Sequence, residues 1–157
     1  MSTDKPTLHF TVPGKVIPKG RPRVVRFKNK AGAVAGMRSF TPERTVRYES
    51  IVREEARAAM EKHGLVPLQG LVAVRIIAYW EWPTSKFRKT KPREAELAPT
   101  AQDFDNVAKS LCDSMNSICY LDDKQVVIGM VEKWRCAQGE PARAEVYITS
   151  LDNEWNL

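Results

Sequence analysis

Asp103-Phe104-Asp105-Asn106-Val107-Ala108-Lys109, followed by Asp113 and by Asp122-Asp123, is the stretch around which the chain organises. In a chain of formal net charge +6, acidic residues gathered around an apolar helical pattern need a reason to tolerate one another's repulsion. A divalent cation is one such reason. Carboxylate oxygens are hard ligands, and Mg²⁺ or Mn²⁺ sites use one or two of them together with waters and substrate phosphates. If residues 101–105 leave a loop in extended form, Asp103 and Asp105 project to one side with Phe104 turned toward the core. A helix follows, with a buried stripe expected at Ala108, Leu111, Cys112 and Met115, so that Asp105, Lys109 and Asp113 share another face. Asp113 is expected there to balance Lys109. Consecutive residues rarely point the same way, so of Asp122 and Asp123 one is expected as a ligand and the other as a cap or support. A metal-free explanation of the same residues is Asp105 as an N-cap paired with Lys109, and Asp-Asp as a turn.

Immediately upstream, Lys86, Arg88, Lys89, Lys91 and Arg93 fall in an insertion spanning residues 83–100 that is expected to be an exposed basic loop. A phosphate held there would lie beside Asp103. Before it, Leu71 to Trp82 alternates Val72, Val74, Ile76, Ala78 and Trp80, predicting a central strand with Trp80 and Trp82 as packing residues. Thr41-Pro42-Glu43 predicts a helix start with Thr41 as N-cap, and Tyr48, Ile51, Val52, Ala56, Ala59 and Met60 carry the helical period to about Lys62, with Gly64 as the stop.

Nearer the N-terminus, Leu8 to Val12 predicts a first strand, with His9 on one side of it. Pro18-Lys19-Gly20-Arg21-Pro22-Arg23 favours an extended path on which Lys19, Arg21 and Arg23 share an edge suited to a phosphate backbone. Residues 28–37 are small, glycine-containing and aperiodic, predicting a mobile loop or hairpin tip that orders on substrate, with Arg38-Ser39-Phe40 extending a short strand. Downstream of the acidic stretch, Val126 to Val131 predicts a strand that returns beside it.

With 157 residues, the chain fits one domain over 1–157, and 25 Lys and Arg against 19 Asp and Glu point to an anionic partner, nucleic acid being the commonest. Cys112, Cys119 and Cys136 form no Cys-x-x-Cys, which indicates neither a disulfide framework nor a zinc site. With no run resembling a signal peptide and none approaching the roughly 18 apolar residues of a membrane span, a soluble cytoplasmic protein is expected. An EF-hand beginning at Asp103 fails at Val107, Ala108 and Ser114. His9 and His63 fit no catalytic or metal pattern, and no phosphate-binding Gly-x-x-x-x-Gly-Lys loop is present.

The sequence from Asp103 to Lys109, Asp113, and Leu121-Asp122-Asp123-Lys124-Gln125-Val126-Val127 resembles the RusA family of Holliday-junction resolvases, as do Pro18 to Arg23 and Phe40-Thr41-Pro42. The resemblance implies an α+β fold, a single small domain whose mixed β-sheet is packed by two main helices. It further implies a homodimer that cuts four-way DNA junctions in recombination and repair with Mg²⁺, for which Mn²⁺ could substitute, in a bacterium or its phage. Carried over by position, Asp103, Asp105 and Asp123 would be metal-binding catalytic carboxylates and Lys109 the essential cation, with Asn106 and Asp122 supporting them. The approach Thr100-Ala101-Gln102 departs from the basic or Lys-Pro approach of some relatives, its cations being displaced into residues 86–93. Two rival functions fit the same features: a non-catalytic structural DNA-binding protein, and a nuclease for flaps or other branched DNA.

Overall fold

The computed structural model describes residues 7–19 and 23–151. Its main sheet has five strands in the order β1 (Leu8–Pro13), β7 (Arg143–Leu151), β4 (Leu71–Trp80), β6 (Val126–Arg135) and β5 (Glu96–Leu97). β4 runs parallel to β6 and antiparallel to β7, so the sheet is mixed, and Ile76 of this central strand lies between Val131 and Val146. A second sheet is the antiparallel hairpin of β2 (Arg23–Lys28) and β3 (Val34–Phe40). Two helices, α1 (Glu43–Lys62) and α2 (Phe104–Met115), complete an α+β fold.

Period-two alternation puts Phe10 and Val12, Val74 and Ile76, and Val146 and Ile148 on one face of the sheet, where they form a common core with Val52 and Ala56 of α1 and Leu111 and Met115 of α2. Away from that core, His9 stacks on Tyr147 with ring centroids 4.3 Å apart, Arg75 pairs with Glu132, and Arg143 lies 4.1 Å over the Tyr79 ring. The helices therefore cover the face that needs burial. Among the described residues, no helix is long and apolar enough to cross a membrane.

Local departures from the sequence expectations have physical causes. α1 begins at Glu43, and Pro42 rather than Thr41 flanks it, with no side-chain cap; Pro42 instead offers its carbonyl to the amides of Thr45 and Val46 at 2.9 and 3.2 Å. Its end comes as expected at Gly64, whose φ of 61° reverses the chain. Residues 28–37 form the tip of the β2–β3 hairpin and the strand ends that flank it: the Asn29 side chain accepts from the amides of Ala31 and Ala33, both at 3.0 Å, and closes the turn.

The expected loop 83–100 contains a turn of 3₁₀ helix, Thr84–Lys86, and the edge strand β5 paired to Trp134 and Arg135. Gln138 clamps it, accepting from the Arg88 amide at 2.8 Å and donating to the Arg88 carbonyl at 3.0 Å. Trp80 is buried and Trp82 half-buried, as packing residues should be.

Candidate active site

α2 is oriented by its buried face, which is Val107, Ser110, Leu111, Ser114 and Met115 rather than the expected Ala108, Leu111, Cys112 and Met115. Two serines inside the core obscure this stripe in the sequence. Both are satisfied: the Ser110 hydroxyl donates to the Ile17 carbonyl at 2.8 Å, and the Ser114 hydroxyl to the Ser110 carbonyl at 2.7 Å. The helix is thereby rolled so that Ala108 and Cys112 become the floor of a groove. Asp105, Lys109 and Asp113 line it beside them.

Asp103 immediately precedes the helix, and its carbonyl accepts the Val107 amide at 3.1 Å. Because helical geometry starts at Phe104, Asp103 and Asp105 do not alternate along an extended strand as expected. Phe104 is 53% exposed and lines the groove rather than the core, since Val107 fills the apolar position one turn later. Neither Asp103 nor Asn106 lines the groove.

The second wall comes from the turn before β6. Asp122 caps the 3₁₀ turn Asp123–Gln125, accepting the Lys124 amide at 2.9 Å. Gln125 completes a capping box by accepting the amides of Leu121 and Asp122 at 2.7 and 3.0 Å. Its amide group also donates to the carbonyls of Leu68 and Gly70 at 2.9 and 2.7 Å, tying the turn to the approach of β4. Gln125 belongs to the stretch that carries the family resemblance, and its capping role is signalled in the sequence by the Asp-x-x-Gln spacing. Held this way, Asp123 and Val126 face the groove opposite α2.

The electrostatics differ among these carboxylates. Partial desolvation pushes Asp123 above the usual carboxylate range, helped by its hydrogen bond with Asp122 and by the charges of Asp122 and Asp113. Asp122 is held below that range by the Lys124 amide. Asp113 pairs with Lys19, not with Lys109 as expected, because residues 17–19 lie along α2, held by the Ser110 bond to Ile17. Among the described residues, Asp105 and Lys109 take part in no ion pair. Burial pushes the Cys112 thiol up to about 11, which leaves it un-ionised near neutrality and poorly suited as a nucleophile.

Among the described residues, no three His, Cys, Asp or Glu side chains lie close enough together to hold a metal ion. The donor chemistry nonetheless fits a hard cation: the groove presents only carboxylate oxygens as charged donors, from two elements, and Mg²⁺ needs one or two of these plus water and phosphate.

The basic flanks divide in the same manner. Lys86, Arg88, Lys89 and Lys91 are exposed on the loop before Asp103. Arg93 is instead structural, lying 4.3 Å over the Trp82 ring and donating from Nε to the Lys86 carbonyl at 2.9 Å. Lys19 is engaged by Asp113, Arg23 opens β2 in an exposed position, and Arg21 lies outside the described residues.

A relative from Bacillus subtilis (strain 168), described as "Uncharacterized protein YqaN", is 31% identical over 149 residues, which is 92% of this chain and 96% of the relative. The family model described as Endodeoxyribonuclease RusA matches residues 13–149, a span that holds both helices, both walls of the groove and the hairpin. With the match running through the whole architecture rather than one motif, the chain belongs to the RusA endodeoxyribonuclease family.

Proposed function

We propose that this protein is a Mg²⁺-dependent endonuclease that resolves four-way DNA junctions arising in recombination and repair. The observation that carries this reading is the groove in which Asp105 and Lys109 of α2 face Asp123 across from them, in a chain whose family is one of endodeoxyribonucleases. Asp105 and Asp123, which line the groove, would hold the ion; Asp103, which precedes α2 and does not line it, is the third carboxylate that the family resemblance adds. When bound, Mg²⁺ or Mn²⁺ lowers the pKa of a coordinated water and neutralises charge on the scissile phosphate.

The chain's own residues do the positioning. Lys109, with no carboxylate partner among the described residues, is available to neutralise charge developing on the phosphate. Asp122 and Gln125 fix the turn that presents Asp123, and Lys19 keeps the neighbouring Asp113 neutralised at the groove's edge. Lys86, Arg88, Lys89 and Lys91 would steer the backbone toward Asp103. In a twofold homodimer, two such grooves would match the approximate twofold symmetry of a four-way junction. In support, among the described residues β6 pairs with β5 only through Trp134 and Arg135, leaving Val127, Ile128 and Met130 exposed on a strand with unpaired length.

The test is a substrate panel: a labelled four-way junction, a flap and a linear duplex, each with and without Mg²⁺. Paired incisions in the junction, only with metal, are expected. Binding without cleavage in every condition would favour a structural DNA-binding protein, and preferential cutting of the flap would favour the alternative nuclease.

A further inference from the structure

The β2–β3 hairpin has no role in the chemistry above, yet it exposes several large apolar side chains. It forms a sheet of its own, and every residue of its two strands except Gly36 is exposed. Two-stranded hairpins are at best marginally stable alone in water, so a bare one with large apolar side chains is shaped for a partner. The register defines what it presents: Arg23, Val25 and Phe27 lie opposite Phe40, Arg38 and Gly36, on one face. A Cβ at position 36 would come within 2.5 Å of the Phe27 ring, so only glycine lets that ring lie across the neighbouring strand. Phe27 and Phe40 are each 46% exposed, and with Val25 and Arg38 they line one shallow groove.

Charge selects the occupant. The segment from Lys5 to Pro42 contains no Asp or Glu, while the hairpin and its tip carry Arg23, Arg26, Lys28, Lys30 and Arg38. A second copy docked on this face would set cations against cations with no carboxylate on either side. An anionic partner with flat apolar faces matches both features, and unpaired nucleobases flanked by phosphates have that chemistry. Duplex backbone alone would need the cations but not two exposed phenylalanines. The hairpin's location points to the same DNA: the chain enters it from residues 17–19, which are bound to α2 beside the catalytic groove through Ser110 and Asp113.

We infer that the Phe27–Phe40 face of the hairpin stacks on unpaired bases at the branch point of the DNA, with Arg23 and Arg38 on the adjoining phosphates. The inference deepens the proposed function and rests on it for the identity of the DNA.

The test uses a four-way junction carrying 2-aminopurine at the branch point, titrated with full-length protein in EDTA. Wild type is expected to change the 2-aminopurine fluorescence. Phe27→Leu and Phe40→Leu keep apolar bulk but remove the π face; each should lose that change and bind the junction about tenfold more weakly, with linear-duplex binding unaltered. Val24→Ser on the opposite face, where Val24 is 60% exposed, should behave as wild type. Leucine variants equal to wild type would overturn the inference, as would an equal loss in Val24→Ser. So would conversion of a dimer to a monomer by Phe40→Glu in sedimentation, which would make the face a self-interface. Unchanged leucine variants that still cut junctions with Mg²⁺ would leave the nuclease standing without the hairpin's role. The full fluorescence pattern without metal-dependent cutting would do the reverse.

Discussion

At the scale of single residues, the carboxylates of the groove are unequal because their neighbours differ. Asp122 gains a backbone amide, Asp113 gains Lys19, and Asp123 gains mainly desolvation and the repulsion of the other two. A raised pKa means that folded Asp123 holds its proton more tightly than the unfolded chain does. Its ionisation therefore removes stability above the folded pKa, and the penalty vanishes as pH falls below the unfolded value near about 4. Asp123→Asn should raise the Tm slightly at pH 7 in EDTA, leave it unchanged near pH 3, and abolish cleavage. Thermal melts at both pH values check this, and a lower Tm at pH 7 would contradict it. Much of this was legible in the sequence: Asp105, Lys109 and Asp113 were placed on a common face by helical spacing, and the unlike orientations of Asp122 and Asp123 by adjacency. The Lys19–Asp113 pair was not, because nothing local relates residues 94 positions apart.

Among the elements, strands with strict alternation were legible and segments held by tertiary contacts were not. β4 announced itself through Val72, Val74, Ile76, Ala78 and Trp80, and α1 through its apolar period. The α2 stripe was misplaced by one residue because Ser110 and Ser114 look like surface residues until their hydroxyls find carbonyls. The basic segment before Asp103 looked like a free loop because its clamp, Gln138, lies beyond α2 and β6 in the sequence. Gln138→Ala should cost about 1 kcal/mol for its exposed hydrogen bonds, yet trypsin should cut between Lys86 and Arg93 markedly faster than in wild type. Timed proteolysis read by mass spectrometry decides it. Equal cutting rates would mean that the segment is held by Arg93 on Trp82 and by β5 instead.

For the whole molecule, the fold sets an acidic groove among basic surfaces: residues 86–93 before α2, and the carboxylate-free hairpin entered from beside it. Under the proposed function, a net charge of +6 would draw in DNA over distances that salt limits, while the carboxylates at the centre would oppose phosphate until a cation joined them. Binding and cleavage should therefore separate cleanly. The measurement that tests this most directly is single-turnover cleavage of a four-way junction with Mg²⁺ by wild type and Asp105→Asn, with junction affinity measured in parallel. Loss of more than about a hundredfold in the cleavage rate, with affinity unchanged, is the predicted result. Retention of the wild-type rate by Asp105→Asn would contradict it and remove the α2 groove as the seat of the chemistry.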